Sequence, residues 1–239
     1  MTEDILRVEN ISKSFGGVKA LNNCSLDVKK GECLAIIGPN GSGKTTFLNV
    51  INGYIKPDNG RIYFKNTRID GKSPSKICRL GIGRVFQVTK LFNNMTVLEN
   101  ILVESVWLRR DLKELEERAL ELLREFGIPE SLTNQLVSKL SGGQQKLVDI
   151  ARALMSDPEL LLLDEPLAGV HAIIKERIIN IVRKLVDEGK TVLFVSHDIP
   201  SIVRVASEVV FMDSGTIVVR GEPQEVLKHE SVVAAYMGV

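Results

Sequence analysis

The chain is 239 residues long, 44% hydrophobic, 26% charged and 5% aromatic, with 19 glycines and 8 prolines. That is the composition of a globular chain able to bury a sizeable core, and it excludes disordered, collagenous and fibrous classes. The 31 basic and 30 acidic residues leave a formal charge of +1, so composition makes no case for a nucleic-acid partner, which calls for a basic excess or stripe.

Met1-Thr-Glu-Asp4 begins with acids rather than with a basic region followed by an apolar one. No later stretch reaches the roughly 18 uncharged apolar residues that span a bilayer. A membrane, if one is involved, is expected beside the protein. Ile5 to Glu9 alternates like a half-buried strand, and Val18 to Val28 is a second extended segment. Glu32 to Gly38 reads as a buried strand running into a glycine loop, and a helix follows from Lys44 to about Asn52. Gly60 to Lys65, with Asn66, reads as a strand and turn.

From Thr96 to about Phe126 the character changes. Val97, Ile101, Leu102, Val106, Leu112, Leu115, Ala119, Leu122 and Leu123 fall at helical spacing among many charges, which predicts two helices. Thr96-Val-Leu-Glu99 has the form of a capping box for the first, and Gly127-Ile-Pro129 supplies a stop. The remainder predicts a helix from Gly142 to about Met155, a strand Leu160 to Leu163, a helix from about Ile173 to Glu188 and a strand Thr191 to Val195. A shorter helix from Ile199 to Ala206 then leads to strands Glu208 to Met212 and Thr216 to Val219. Short apolar strands alternating with helices predict a mainly parallel, doubly wound α/β sheet. Cys24, Cys33 and Cys78 form neither a CxxC pair nor a metal-ligand spacing, and an odd count suits reduced thiols in a cytosolic compartment.

Gly38-Pro-Asn-Gly-Ser-Gly-Lys44-Thr45 fills every fixed position of G-x-x-x-x-G-K-[ST], directly after a predicted strand and at the opening of a predicted helix. Backbone N–H groups of such a turn, aligned with the positive end of a helix, make a nest for phosphate. Lys44 adds a point charge toward the β/γ-phosphates, and Thr45 offers a hydroxyl to Mg²⁺. A tight strand-to-helix turn with a chance lysine is the plainer reading, but motif and context agree against it. Leu160 to Leu163 ends in Asp164-Glu165. The first carboxylate suits the metal shell and the second is placed to polarise a water for in-line attack; alone, the pair could be two solvated acids. Leu140-Ser-Gly-Gly-Gln144 contains another capping box, Ser141 to Gln144, and also a second set of bare helix-terminal amides. One nucleotide does not need two such loops so far apart, unless the second serves a nucleotide held by another copy of the chain.

With these motifs the sequence resembles the ATPase subunits of ATP-binding-cassette (ABC) transporters over nearly its whole length. The resemblance implies a P-loop NTPase fold with a RecA-like core sheet, an antiparallel β subdomain and an inserted α-helical subdomain. Residues 1–239 would form one cassette, with about 1–90 and 157–239 as the core and β subdomain and about 91–156 as the helical subdomain carrying the signature. ATP and Mg²⁺ are the implied cofactors. Phe15, with Val18 beside it, would stack on adenine, and Asn40, Gly41, Ser42, Gly43, Lys44, Thr45 and Thr46 would hold phosphates. Thr45, Gln87 and Asp164 would face the metal; Glu165, His197 and Gln87 would carry the hydrolytic step. Ser141, Gly142, Gly143 and Gln144 would close on a partner's nucleotide in a head-to-tail pair, homo- or heterodimeric.

Transmembrane permease subunits are the other implied partners, docked in a groove near Gln87 and the helical subdomain. That places the protein in the cytoplasm, peripheral on the inner face of the cell membrane. The sequence departs from the family pattern at His171, where an aspartate usually falls. Arg84 to Asn100, Leu140 to Lys146, Glu165 to Val170 and the tail Val232 to Gly238 are similar to subunits of branched-chain amino acid importers. The lipopolysaccharide-export ATPase and soluble ABC proteins acting on nucleic acid or ribosomes are alternatives. The latter commonly carry paired cassettes, coiled-coil inserts or basic arms that this chain lacks.

Overall fold

The computed structural model describes residues 3–105, 107–108 and 110–237; the readings placed on Met1, Val106 and Gly238 lie outside the described residues. Strand β1 (Asp4–Phe15) and β2 (Val18–Lys29) form a long antiparallel hairpin in which Phe15 pairs with Val18. β1 therefore runs past Glu9, where the alternation fades. The reason is a set of register shifts, one of them spanning Asn10, which takes a positive φ and lets pairing resume at Ile11.

Strand β3 (Cys33–Ile37) is buried along its whole length and leads to helix α1 (Lys44–Ile51). Strands β4 (Asn59–Phe64) and β5 (Thr67–Arg68) complete a four-stranded antiparallel sheet in the order β2-β1-β4-β5. Helix α2 (Pro74–Arg79) and strand β6 (Ile82–Val85) follow; neither was anticipated.

The helical stretch opens with α3 (Val97–Leu102), whose capping box between Thr96 and Glu99 is formed as expected. Helix α4 (Leu112–Glu125) starts at Asp111, whose carboxylate accepts the Lys113 N–H at 2.8 Å. It buries Leu115, Ala119, Leu122 and Leu123 against the core, as the spacing predicts, but leaves Leu112, in its first turn, exposed. After α5 (Gly142–Leu154) come β7 (Leu160–Asp164), α6 (Ala172–Asp187), β8 (Thr191–Val195) and α7 (Ile199–Val205). Strands β9 (Glu208–Asp213) and β10 (Thr216–Gly221) lead to two short helices, α8 (Pro223–Val226) and α9 (Glu230–Met237), which the periodicity did not reveal.

The second sheet has six strands in the order β10-β9-β3-β8-β7-β6, parallel throughout except for the β9–β10 hairpin. Its central strands are apolar on both faces because each face has its own core. Ala35, Leu161, Leu163, Phe194 and Phe211 point toward α3 to α7. Leu34, Ile36, Leu162, Val195 and Met212 point toward α1 and the antiparallel sheet. Each of the larger side chains among them contributes roughly 1.5–3 kcal/mol of transfer free energy. Because β3, β8 and β7 lie side by side and run the same way, their carboxyl ends open onto one crevice, where α/β sheets bind ligands.

Candidate functional site

The loop after β3 is shaped by close approach. A Cβ on Gly38, at φ +151°, would sit 2.0 Å from the Met212 carbonyl oxygen, so no larger residue fits where the loop passes β9. Helix α1 begins without a side-chain cap and without an acid in its first turn. Its first N–H groups and the positive end of its dipole therefore face the crevice uncompensated by the protein. Lys44 is buried, and its Nζ donates to the Gly38 and Pro39 carbonyl oxygens, at 2.8 Å each. Burial holds its pKa below the ordinary lysine value, while Glu165 and Asp164 pull it back up.

Asn40, Gly41, Gly43, Lys44, Thr45 and Thr46 line one open cleft together with Gln87 and Glu165. Asp164 and Glu165 end β7 at the same crevice. Asp164, 1% exposed, is met on one oxygen by Thr45 Oγ1 at 3.3 Å and on the other by Arg84 Nη2 at 2.8 Å. Glu165 is a non-glycine residue at φ +46°, with its N–H donating to Val195 O at 2.9 Å. Backbone strain of this kind is tolerated where the surroundings over-determine a position, and such positions cluster at functional sites. His197, delivered by the loop after β8, places Nδ1 2.9 Å from Glu165 Oε2. Ser42 is buried within the loop, near Lys44 Nζ.

Other expected residues lie elsewhere. Phe15 and Val18 are exposed at the tip of the β1–β2 hairpin and do not line the cleft, although Ala20, two residues past Val18, does. Ser141, Gly142, Gly143 and Gln144 start α5 and do not line the cleft. The Ser141–Gln144 capping box is formed in both directions, and Gly143 packs so closely on Ile174 of α6 that a Cβ would lie 2.8 Å from its Cγ1. His171 caps α6, its Nδ1 accepting the Ile173 N–H at a long 3.5 Å. The position usually filled by aspartate thus keeps a capping acceptor but not a carboxylate.

Two residues without a sequence signal of their own join these parts. Lys146, 4% exposed on α5, donates to the Phe86 and Gln87 carbonyl oxygens at 3.0 and 2.9 Å, tying the helix behind Ser141 to the Gln87 loop. Arg84 on β6 is the partner of Asp164; burial pushes its guanidinium down to about 10, with Asp164 countering, so it stays charged at neutral pH.

A glycine-rich loop between a central parallel strand and a helix, faced by a strand ending in Asp-Glu, defines a P-loop nucleotide-binding protein. Residues 21–168 match the family model described as ABC transporter, and the chain belongs to that family. It is 37% identical to a probable branched-chain amino acid transport ATP-binding protein, LivG, of Archaeoglobus fulgidus, over 98% of this chain and 95% of the relative. The LivG relative of Methanocaldococcus jannaschii is 39% identical, covering 99% and 98%. An arginine transport ATP-binding protein, ArtM, of Bacillus subtilis is 40% identical over 92% of each chain. Among solved structures, the ADP conformation of an ATP-binding cassette of an ABC transporter superposes with a TM-score of 0.90 at 38% identity, covering 100% of both chains. A dimeric cassette bound to ADP and Pi in a post-hydrolysis state superposes with a TM-score of 0.83 at 32% identity, over 91% of this chain and 98% of that one.

Proposed function

We propose that this chain is the ATP-hydrolysing subunit of an importer for branched-chain amino acids, working through transmembrane permease partners. The observation that carries the enzymatic part is the convergence of Lys44, Thr45, Gln87 and Glu165 on one cleft. The substrate class rests on full-length similarity to the LivG proteins. Among the described residues no helix is long and apolar enough to cross a membrane. In this reading, which rests on the similarity to transport ATP-binding proteins, the subunit sits against its permease at the inner face of the cell membrane.

In this reading the N–H groups at the start of α1 and Lys44 hold the β- and γ-phosphates, and Phe15 with Val18 receives the adenine. Thr45, Asp164 and Gln87 offer only oxygen donors, and Thr45 Oγ1 and Asp164 Oδ1 stand 3.3 Å apart, which suits Mg²⁺. The cation would supply charge neutralisation at the β/γ-phosphates. Glu165 accepts a proton from water as its oxygen attacks the γ-phosphorus and the bond to the bridging oxygen of ADP breaks. His197 orients that carboxylate and reaches the γ-phosphate.

The Ser141–Gln144 helix start, which does not line its own cleft, serves the nucleotide of a second cassette. ATP thus joins the pair, and its hydrolysis releases it. Residues 91–156 act as the helical subdomain that, with the Gln87 loop, receives the permease.

The deciding experiment combines light scattering on Glu165→Gln, with and without ATP, with phosphate release by the unaltered chain. ATP-dependent pairing and turnover are expected. In cells, Glu165→Gln is expected to abolish leucine uptake; a loss of arginine uptake with leucine intact would transfer the substrate assignment.

A further inference from the structure

A second cavity is walled by Asn52, Tyr54, Pro74, Ile77, Arg84 and Phe86. A continuous set of contacts leads from its rim to the cleft. Tyr54 is 63% exposed, and its ring meets the Phe86 ring edge-on at 5.5 Å. The Arg84 guanidinium lies 5.2 Å from the centre of the Phe86 ring. Arg84 Nη2 then bonds Asp164 Oδ2 at 2.8 Å and Asn49 Oδ1 at 3.3 Å, and the other Asp164 oxygen faces Thr45.

Arg84 is poorly satisfied for so buried a cation. Its side chain is 6% exposed, yet Nε and Nη1 have no hydrogen-bond partner among the described residues. A guanidinium carries five N–H donors, and leaving buried ones unused is costly. Its placement is therefore held by the Asp164 charge and the Phe86 face rather than by a full set of bonds, and a modest push on the ring can tip it. The Phe86 and Gln87 backbone is pinned by Lys146, so a push from the cavity is taken up by side chains.

We propose that Arg84 is a positioning residue for Asp164 whose hold is set by the Tyr54–Phe86 pair, and that this hold governs how freely the carboxylate receives a cation. In the lone subunit Arg84 occupies one Asp164 oxygen and opposes the cation by like charge. The inference rests on the metal-site reading above.

The test is a Mn²⁺ titration followed by electron paramagnetic resonance, on the full chain with a non-hydrolysable ATP analogue and no permease. Asp164→Asn weakens Mn²⁺ binding if the carboxylate faces the cation; no change there overturns the metal-site reading and the proposal with it. Arg84→Gln is expected to tighten Mn²⁺ binding about three- to tenfold, with metal-free nucleotide affinity unchanged. Tyr54→Ala, at the exposed rim, is expected to shift the constant the same way by a smaller factor, and the double variant to go no further than Arg84→Gln alone. Failure of Arg84→Gln or of Tyr54→Ala to move the constant, with Asp164→Asn weakened, overturns the proposal and leaves the metal site standing. Should Arg84→Gln not fold, Tyr54→Ala decides alone by the same criterion.

Discussion

His197 and Glu165 meet at a single oxygen: the imidazole Nδ1 lies 2.9 Å from Glu165 Oε2, and the His197 backbone N–H donates to the same atom at 3.4 Å. One carboxylate oxygen is thus engaged by the loop after β8 from two directions, which leaves Oε1 as the oxygen free to meet a water. Glu165→Gln is expected to lower steady ATP turnover by about 10²–10⁴-fold with nucleotide affinity retained. Phosphate release and a fluorescent-nucleotide titration on the same preparation check both halves.

Lys44 makes nucleotide binding pH-dependent with a definite sign. In the empty loop burial lowers its pKa, so it loses its proton at a pH below that of ordinary lysine. Phosphate oxygens around the ammonium keep the proton on. Between those two values binding takes up a proton, and affinity falls as pH rises. Calorimetry in buffers of different ionisation enthalpy is expected to show this uptake on the alkaline side, and Lys44→Ala to abolish it while weakening affinity.

Gly38→Ala combines a positive φ with a Cβ 2.0 Å from the Met212 carbonyl oxygen. Such a backbone clash cannot be relieved by turning a side chain. Thermal unfolding is expected to report a loss of at least about 1–3 kcal/mol, the ordinary cost of strained backbone alone, together with loss of nucleotide binding.

Ser141 caps α5, so its substitutions carry a stability cost apart from any effect on pairing. Ser141→Ala is expected to cost about 0.5–2 kcal/mol through the lost cap. Ser141→Arg adds bulk and charge at an exposed helix start outside the cleft. Nucleotide binding by each single chain is expected to persist while ATP-dependent pairing, read by light scattering, is lost; unchanged pairing would count against a nucleotide shared between copies.

His171→Asp replaces a long imidazole cap on α6 with a favoured capping carboxylate at the positive helix end. The expected outcome is a gain of several tenths to about 1 kcal/mol in chemical denaturation at neutral pH. No gain would mean that the imidazole already caps the helix as well as a carboxylate can.

Much of this architecture is local in origin and could be read residue by residue. The strand-loop-helix around Gly38 to Thr45, the capping boxes at Thr96 and Ser141 and the apolar run before Asp164 each depend on neighbours in the chain. Strand β6 escaped because Gly83 and Arg84 interrupt its apolar pattern. Gly83 is required from a distance, since a Cβ there would lie 2.9 Å from Pro158 Cγ and 3.0 Å from Leu161 Cδ1. Arg84 and Lys146 read as ordinary charges in sequence; what marks them is burial against Asp164 and the Gln87 loop, which only the folded chain creates.

The strand order has a consequence for synthesis on the ribosome. β3 is made early, but the strands on either side of it, β8 and β9, begin at Thr191 and Glu208. Thr45 and Asp164 likewise meet only across 119 residues of chain. A nascent chain that has emerged through the helical stretch therefore carries its glycine loop on a strand with two open edges, apolar on both faces and prone to pairing wrongly. Nucleotide capture is thus among the last things this polypeptide becomes able to do, and fragments ending before β9 are expected to be recovered as aggregates rather than as smaller binding units.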